Sequence, residues 1–375
     1  MAKAVHLIND EKFLPRFIVR AEKHFSSIAY VVFGATTPFT FLNEASNVCL
    51  SSRWKSEKDG EIEDVYIHFM TYQKIKWVQR HAPKARVHWI YFGSDLYELL
   101  SAFHGFNLFS KYDKTGGFLS QIKGKTPLDR IKRYGSLVLY HQVFKKFVKS
   151  HLSTFRFWNE GDFQLFKNAF TTHARFEFFQ YGAYLQSDID YVCQSLRTTS
   201  DKESLDILIN HSGTRSGNHL DILKRLQRSH TAKNPHFHAI LSYGDKEHIE
   251  EVSAFGATEF GENFHGYTEF MPRLSYYELL SKMDIAIFGH RRQEAGNSLF
   301  ISMLLGTKVF ILNDSVLLPY LEQHGFHFYT LADIGSQGWT HPLSKAQRED
   351  NKIRALAYFD QARIELAYKN LAKNT

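Results

Sequence analysis

The stretch from Ile285 to Ile311, IAIFGHRRQEAGNSLFISMLLGTKVFI, constrains the fold more than any other part of the chain. Ile285 to Phe288 is a short apolar run of strand type, and a polar loop with glycine follows it. Gly296, Asn297 and Ser298 then open an apolar helix that Gly306 closes before a second strand, Lys308 to Leu312. A helix that starts directly after a parallel strand presents free backbone N–H groups and the positive end of its dipole, which favour an anion. Arg291 and Arg292 lie just upstream, so the expected ligand is a diphosphate. The competing reading is an ordinary turn whose arginine pair is solvated.

The same alternation recurs along the chain. In the first half the strand patterns are Ala4 to Ile8, Ile28 to Phe33, Val65 to Met70 and Val87 to Phe92, with helices expected over Lys12 to His24, Gln73 to His81 and from Gly93 onward. In the second half, strands at Leu205 to Ile209, Phe237 to Ser242 and Thr268 to Met271 alternate with helices over Leu220 to Gln227, Lys246 to Phe255 and Ser275 to Met283. Such alternation predicts an α/β fold with open parallel sheets. The length of 375 residues exceeds one ordinary core, so two domains are expected, 1–195 and 196–375, with the last helix packing back on the first.

Two loops of the second half meet the same requirement. The one from Asn210 to His219 carries Ser212, Gly213, Arg215 and Asn218; the other carries Arg291, Arg292, Glu294, Gly296, Asn297 and Ser298. In an open sheet, ligands lie beyond the carboxyl ends of the strands, so both loops are expected to converge on one anion. Tyr243, ending the strand after Phe237, is placed in the same donor site. Transfer chemistry needs a group to take a proton or groups that stabilise a departing charge. Asp95, His68 and Asp10 stand at strand ends of the first half and are the candidates for proton transfer. Asp95 competes with a helix-capping role and His68 with that of a satisfied strand histidine.

With these residues in view, the chain resembles the two-Rossmann-domain (GT-B) glycosyltransferases, two Rossmann-like domains facing a central cleft. Glu294-Ala295-Gly296 begins that class's pattern and Gly306 ends it, ten residues on. The chain departs from the pattern where a helix carboxylate is expected and Ile301 and Ser302 stand instead. That carboxylate usually holds ribose hydroxyls, and a deoxyribose nucleotide would need it less. More narrowly, the chain is similar to the TDP-N-acetylfucosamine:lipid II N-acetylfucosaminyltransferase family in three stretches, Trp89 to Tyr97, Leu208 to His219 and Arg292 to Leu299. That resemblance implies metal-independent, cofactor-free transfer of an amino-deoxy sugar from a dTDP-sugar to a lipid-linked or surface-glycan acceptor, in the synthesis of a bacterial cell-surface polysaccharide. The alternatives are another nucleotide sugar used on a soluble glycan or protein, or a non-catalytic nucleotide-sugar or nucleic-acid binding protein.

The formal net charge of +7 is unevenly placed. Residues 101–180 hold thirteen Lys and Arg against five Asp and Glu, interleaved with many aromatic residues. Read as mostly helical, this stretch suits an anionic membrane surface. It carries no nucleic-acid reading motif, so no nucleic-acid partner is expected. The longest apolar runs are far below a membrane span, and only Cys49 and Cys193 are present. The expected location is therefore the cytoplasm, peripherally on the inner membrane. Asp188-Ile-Asp190 imitates an acidic metal pair, but it falls in a helical region, and His236 and His238 share one strand face without a third ligand; both are assigned to structure.

Overall fold

The computed structural model describes residues 3–54, 62–109, 126–182, 184–194, 204–229 and 234–373. The chain forms two compact units: one holds the described residues of Met1–Phe106, Phe118–Ala183 and Gln361–Thr375, the other those of Asn107–Gly117 and Tyr184–Asp360. The expected boundary between 195 and 196 lies outside the described residues.

The first unit runs β1 (Ala4–Asn9), α1 (Leu14–Ala21), β2 (Ile28–Phe33), β3 (Val48–Leu50), β4 (Asp64–His68), α2 (Tyr72–His81), β5 (Arg86–Ile90) and α3 (Ser94–Phe103). It continues with α4 (Pro127–Ser150), β6 (Leu152–Phe157), α5 (Glu160–Ala169) and β7 (Arg175–Phe178). All pairings are parallel, in the order β3-β2-β1-β4-β5-β6-β7. The order reverses between β1 and β4. Strands buried on both faces need continuous apolar runs, and β1 and β2 supply them as AVHLIN and IAYVVF.

The described part of the basic aromatic stretch is mostly helical, as expected, and it also contributes β6 and β7 to this sheet. Leu152-Ser-Thr-Phe-Arg-Phe is rich in strand formers, and all but Ser153 are buried. Its rings are core: Trp89 meets Phe144, Phe155 and Phe166 edge to face, with centroids 5.5, 5.1 and 5.4 Å away.

The second unit runs α6 (Gln186–Gln194), β8 (Ser204–Ile209), α7 (His219–Arg228), β9 (Asn234–Ile240), α8 (Lys246–Phe260), β10 (Phe264–Tyr267) and α9 (Arg273–Lys282). Then follow β11 (Ile285–Phe288), α10 (Gly296–Leu304), β12 (Lys308–Ile311), α11 (Leu318–Gln323), β13 (Tyr329–Thr330) and α12 (Lys345–Tyr358). The parallel order is β10-β9-β8-β11-β12-β13, the doubly wound arrangement with its switch point between β8 and β11. The strand expected at Thr268 to Met271 lies four residues earlier. Phe264 to Tyr267 pair with Phe237 to Ile240, whereas Phe270 is 82% exposed and has no core to enter.

The last helix, α13 (Gln361–Ala372), belongs to the first unit. The Tyr66 hydroxyl donates to Leu371 O at 2.5 Å and the Tyr368 hydroxyl to Tyr181 O at 2.9 Å. Among the described residues, no helix is long and apolar enough to cross a membrane.

Candidate functional site

At the switch point of the second unit the loops after β8 and β11 are tied together by side-chain amides. Asn210 Oδ1 accepts from Gly289 N at 2.9 Å, and its Nδ2 donates to Gly217 O at 2.8 Å. Asn218 Nδ2 donates to Gly289 O at 2.6 Å. Both asparagines are fully buried in the left-handed region, where Asn is among the few side chains tolerated. Sequence reasoning placed them against the ligand; here their amides hold the two loops in register. Only glycine allows this approach, since a Cβ on Gly289 would run into Gly217 O. Gly213 meets Gly244 in the same way, its N–H donating to Tyr243 O at 2.7 Å.

The tied loops enclose a charged group. Glu294 accepts from Ser216 Oγ at 2.6 Å and from the Arg292 guanidinium, and lies 3.4 Å from His290 Nε2. Burial opposes its ionisation, but His290, once protonated in acid, and the Arg292 guanidinium hold its pKa down at about 2, so Glu294 is a carboxylate at neutral pH. The rings of His290 and His211 are tilted at 56° to each other with centroids 5.1 Å apart. Burial pushes His211 down to about 3 and lowers His290 as well, so both rings are neutral. His211 Nδ1 and both nitrogens of His290 are buried without a hydrogen-bond partner among the described residues. Orphaned polar atoms of this kind cost roughly 1–3 kcal/mol each and mark a place where a ligand's hydroxyls would find partners.

α10 starts beside this group. Its first residue follows Ala295, which is left-handed at φ 60° and gives no side-chain cap, a strained backbone of the kind that clusters at ligand sites. Ser298 is in the first turn, where its Oγ accepts from the Tyr276 hydroxyl at 2.8 Å, and Asn297 is exposed. Ser302 donates to Ser298 O at 2.8 Å and Ile301 is buried, so this turn of α10 presents no carboxylate.

Of the remaining donor-site candidates, Tyr243 stays beside His211 with ring centroids 6.2 Å apart, and Arg215 and Arg291 diverge. Ser212 is buried against Thr214 Oγ1 at 3.0 Å, and Tyr243 is exposed. Arg215 lies within ion-pair distance of Asp245, Glu247 and Glu251 at 3.3, 3.8 and 3.6 Å. Arg291 turns away from α10: it pairs with Asp314 at 2.8 Å and donates to Phe109 O at 2.5 Å. Glycine 289 and His290 were missed as site residues, although their place directly after a strand was a usable signal. Asp188 caps α6 through Leu185 N and pairs with Arg273, both at 3.0 Å, and His238 bonds Asp206 and Tyr267.

In the first unit the three proton-transfer candidates are each engaged. Asp10 accepts from the backbone N–H groups of Thr40, Phe41 and Leu42 at 2.5, 3.0 and 3.0 Å, organising that loop. His68 is buried between His6 Nδ1 at 2.8 Å and the Tyr181 hydroxyl at 2.7 Å. Asp95 is 5% exposed and accepts from Met70 N, Trp89 Nε1 and Phe92 N at 2.9, 2.7 and 3.4 Å. Burial raises its pKa to about 6 against the pull of those donors. Lys74, wholly buried, donates to the carbonyls of His68 and Phe69, and burial lowers it to about 7. Asp95 and Lys74 thus grip the turn around Phe69, a left-handed non-glycine residue at φ 61°.

No family model matches the chain, and no curated protein does. Solved structures do. Sucrose-phosphate synthase from Thermosynechococcus elongatus superposes with a TM-score of 0.63 at 9% identity, covering 99% of this chain and 98% of that one. A glycosyltransferase from Rickettsia africae gives 0.56 at 11% identity over 100% of both chains. Anabaena HepE in complex with UDP-glucose gives 0.54 at 10% identity, over 99% of this chain and 100% of that one. The chain has the fold of the GT-B glycosyltransferases.

Proposed function

We propose that the chain is a glycosyltransferase that moves an amino-deoxy sugar such as N-acetylfucosamine from a dTDP-linked donor to a lipid-linked or surface-glycan acceptor. The observation that carries the reading is the pair of tied loops, which bring the uncapped start of α10, Glu294 and the orphaned nitrogens of His211 and His290 to one switch point. Backbone N–H groups at the start of α10 stabilise negative charge as the diphosphate departs. Glu294 and the neutral histidines hold hydroxyl or acetamido groups of the sugar. The deoxyribose preference follows from Ile301 and Ser302, which leave no carboxylate for a ribose diol. Asp10, His68 and Asp95 position the acceptor side; no metal is needed in this scheme, because the donors for the leaving group are protein N–H groups. The acceptor's lipid would hold the protein peripherally at the cytoplasmic face of the inner membrane, with α4 against anionic headgroups.

Binding of dTDP, UDP, GDP and CMP to the full chain by calorimetry, followed by a transfer assay with the matching sugar nucleotides and an undecaprenyl-diphosphate-linked acceptor, tests the reading. Tightest binding of dTDP together with turnover of dTDP-N-acetylfucosamine supports it. The neighbour bound to UDP-glucose favours one second reading, a UDP-hexose donor with a soluble acceptor, and preference for UDP in the same panel would select it. Binding of none of the four would end both.

A further inference from the structure

A groove of about 520 Å³ runs between α7 and the segment after β13 that contains Leu331, Ile334 and Gly335. Four basic side chains line it, Lys224, Arg225 and Arg228 from α7 and Arg291 from the loop after β11, against the single carboxylate of Asp221. Arg291 is already paired with Asp314. Among the described residues, Arg225 and Arg228 have no carboxylate partner, in contrast to α8, where Lys246 reaches Glu250 one turn on. Unbalanced charge of one sign in a concave region focuses the field and concentrates counter-ions there. Ile222, Leu312, Leu331 and Ile334 supply apolar lining.

We propose that this groove is a second ligand site, for an organic phosphate of nucleotide size. Arg225 and Arg228 stand three residues apart on one helix face, where two planar guanidinium forks can hold one phosphate bidentately. The apolar lining receives the ring or chain that bears the phosphate, with Asn313 among the polar groups of the wall. The volume falls within the range of small-molecule sites, roughly 300–1,000 Å³. Asn218 and Arg291 of the donor loops are among its lining residues, whereas Arg215, Glu294 and the start of α10 are not. The proposal therefore stands whether or not the donor reading does.

Inorganic pyrophosphate and AMP, titrated calorimetrically into the full chain at low salt, are the probes. Hydrogen exchange with each probe bound reports the place. Protection of 219–229 and 331–335, and a loss of affinity of about tenfold or more in the double variant Arg225→Gln, Arg228→Gln, are the expected results. The Lys pair at the same positions should fall between the two, and all variants should melt with the wild type because both side chains are exposed. Arg215→Ala separates the sites, since it should leave this binding intact. The proposal is overturned if neither probe binds, if the Gln pair binds as the wild type does, or if protection appears only at 210–218 and 289–298. Vesicles containing phosphatidylglycerol form the second arm: loss of vesicle binding in the Gln pair without loss of soluble phosphate binding assigns the arginines to a lipid headgroup and also overturns it.

Discussion

Asp95 and Lys74 are the residues whose chemistry changes most between a reading of the chain and its folded form. Both are charged types set in the interior: Lys74 donates to the carbonyls of His68 and Phe69, and Asp95 accepts from Met70 N, the Trp89 indole and Phe92 N. Lys74→Met keeps the stem and removes the donor, leaving two carbonyls short of a partner and a strained turn unheld. The expected loss is about 2 kcal/mol in chemical denaturation; an unchanged midpoint would mean that the turn holds itself. Asp95→Asn can still accept from Met70 N and Trp89 Nε1 through its carbonyl oxygen. If Asp95 is a positioning residue, that variant retains turnover within about tenfold, whereas a collapse of turnover in a folded protein would make it the base. Gly289→Ala makes the opposite kind of demand, for space. Its methyl would meet Gly217 O, so dTDP affinity and thermal stability should fall together.

At the scale of the element, α4 has two unlike sides. Leu137, Phe144, Phe147 and Val148 are buried in the first unit. At the helical period the opposite side carries Leu128, Ile131 and Leu139, which are 67%, 68% and 53% exposed, among Lys132, Lys146 and Lys149. Exposed leucine and isoleucine among lysines suit an interface between headgroups and acyl chains. Changing Lys145, Lys146 and Lys149 together to Glu should reduce binding to phosphatidylglycerol vesicles by more than about tenfold, at about 1 kcal/mol per charge near the surface. Nucleotide binding should be unaffected. Wild-type protein that ignores such vesicles at low salt, while binding oligonucleotides, would assign the charge to a nucleic-acid partner. Element boundaries also expose the limit of pattern reading: β10 was misplaced because an apolar alternation says that a strand is possible, whereas pairing with β9 decides which residues take it.

Across the whole molecule, acid sensitivity follows from buried neutral imidazoles. Burial lowers His6, His68, His211, His219 and His290 from the ordinary 6.5. Below that value the unfolded chain takes up protons that the folded chain refuses, so stability falls as pH falls, by up to roughly 1.4 kcal/mol per pH unit for each ring. Asp95 and Asp162 act in the opposite sense. Burial raises both to about 6, so between 3.8 and about 6 the folded chain keeps protons that the unfolded chain releases. Five rings against two carboxyls leave the histidines in control. The thermal midpoint should therefore drop steadily from pH 7 to pH 5, and a flat or rising profile would contradict the burial of these rings.

The alternation of apolar runs with glycine-bearing loops determined two parallel α/β sheets, and the stretch from Ile285 to Ile311 determined a strand, a helix start and the glycines between them. These are local properties, carried by the period of the side chains and by the conformations that glycine and asparagine accept. Which polar atoms remain for a ligand was decided only by the tertiary structure. Asn210 and Asn218 sit in the loop that pattern reading marked, yet folding turned their amides onto Gly217 and Gly289. Arg291 likewise points to Asp314 instead of the helix it precedes. Asp95, legible as a strand-end carboxylate, became a buried acceptor once Met70 and Trp89 came within reach from other strands and turns. A hydrogen bond needs a partner at the right distance and direction, and for buried groups that partner lies elsewhere in the chain. Residue type and spacing therefore specified the loops, and three-dimensional packing specified which of their atoms were left over for chemistry.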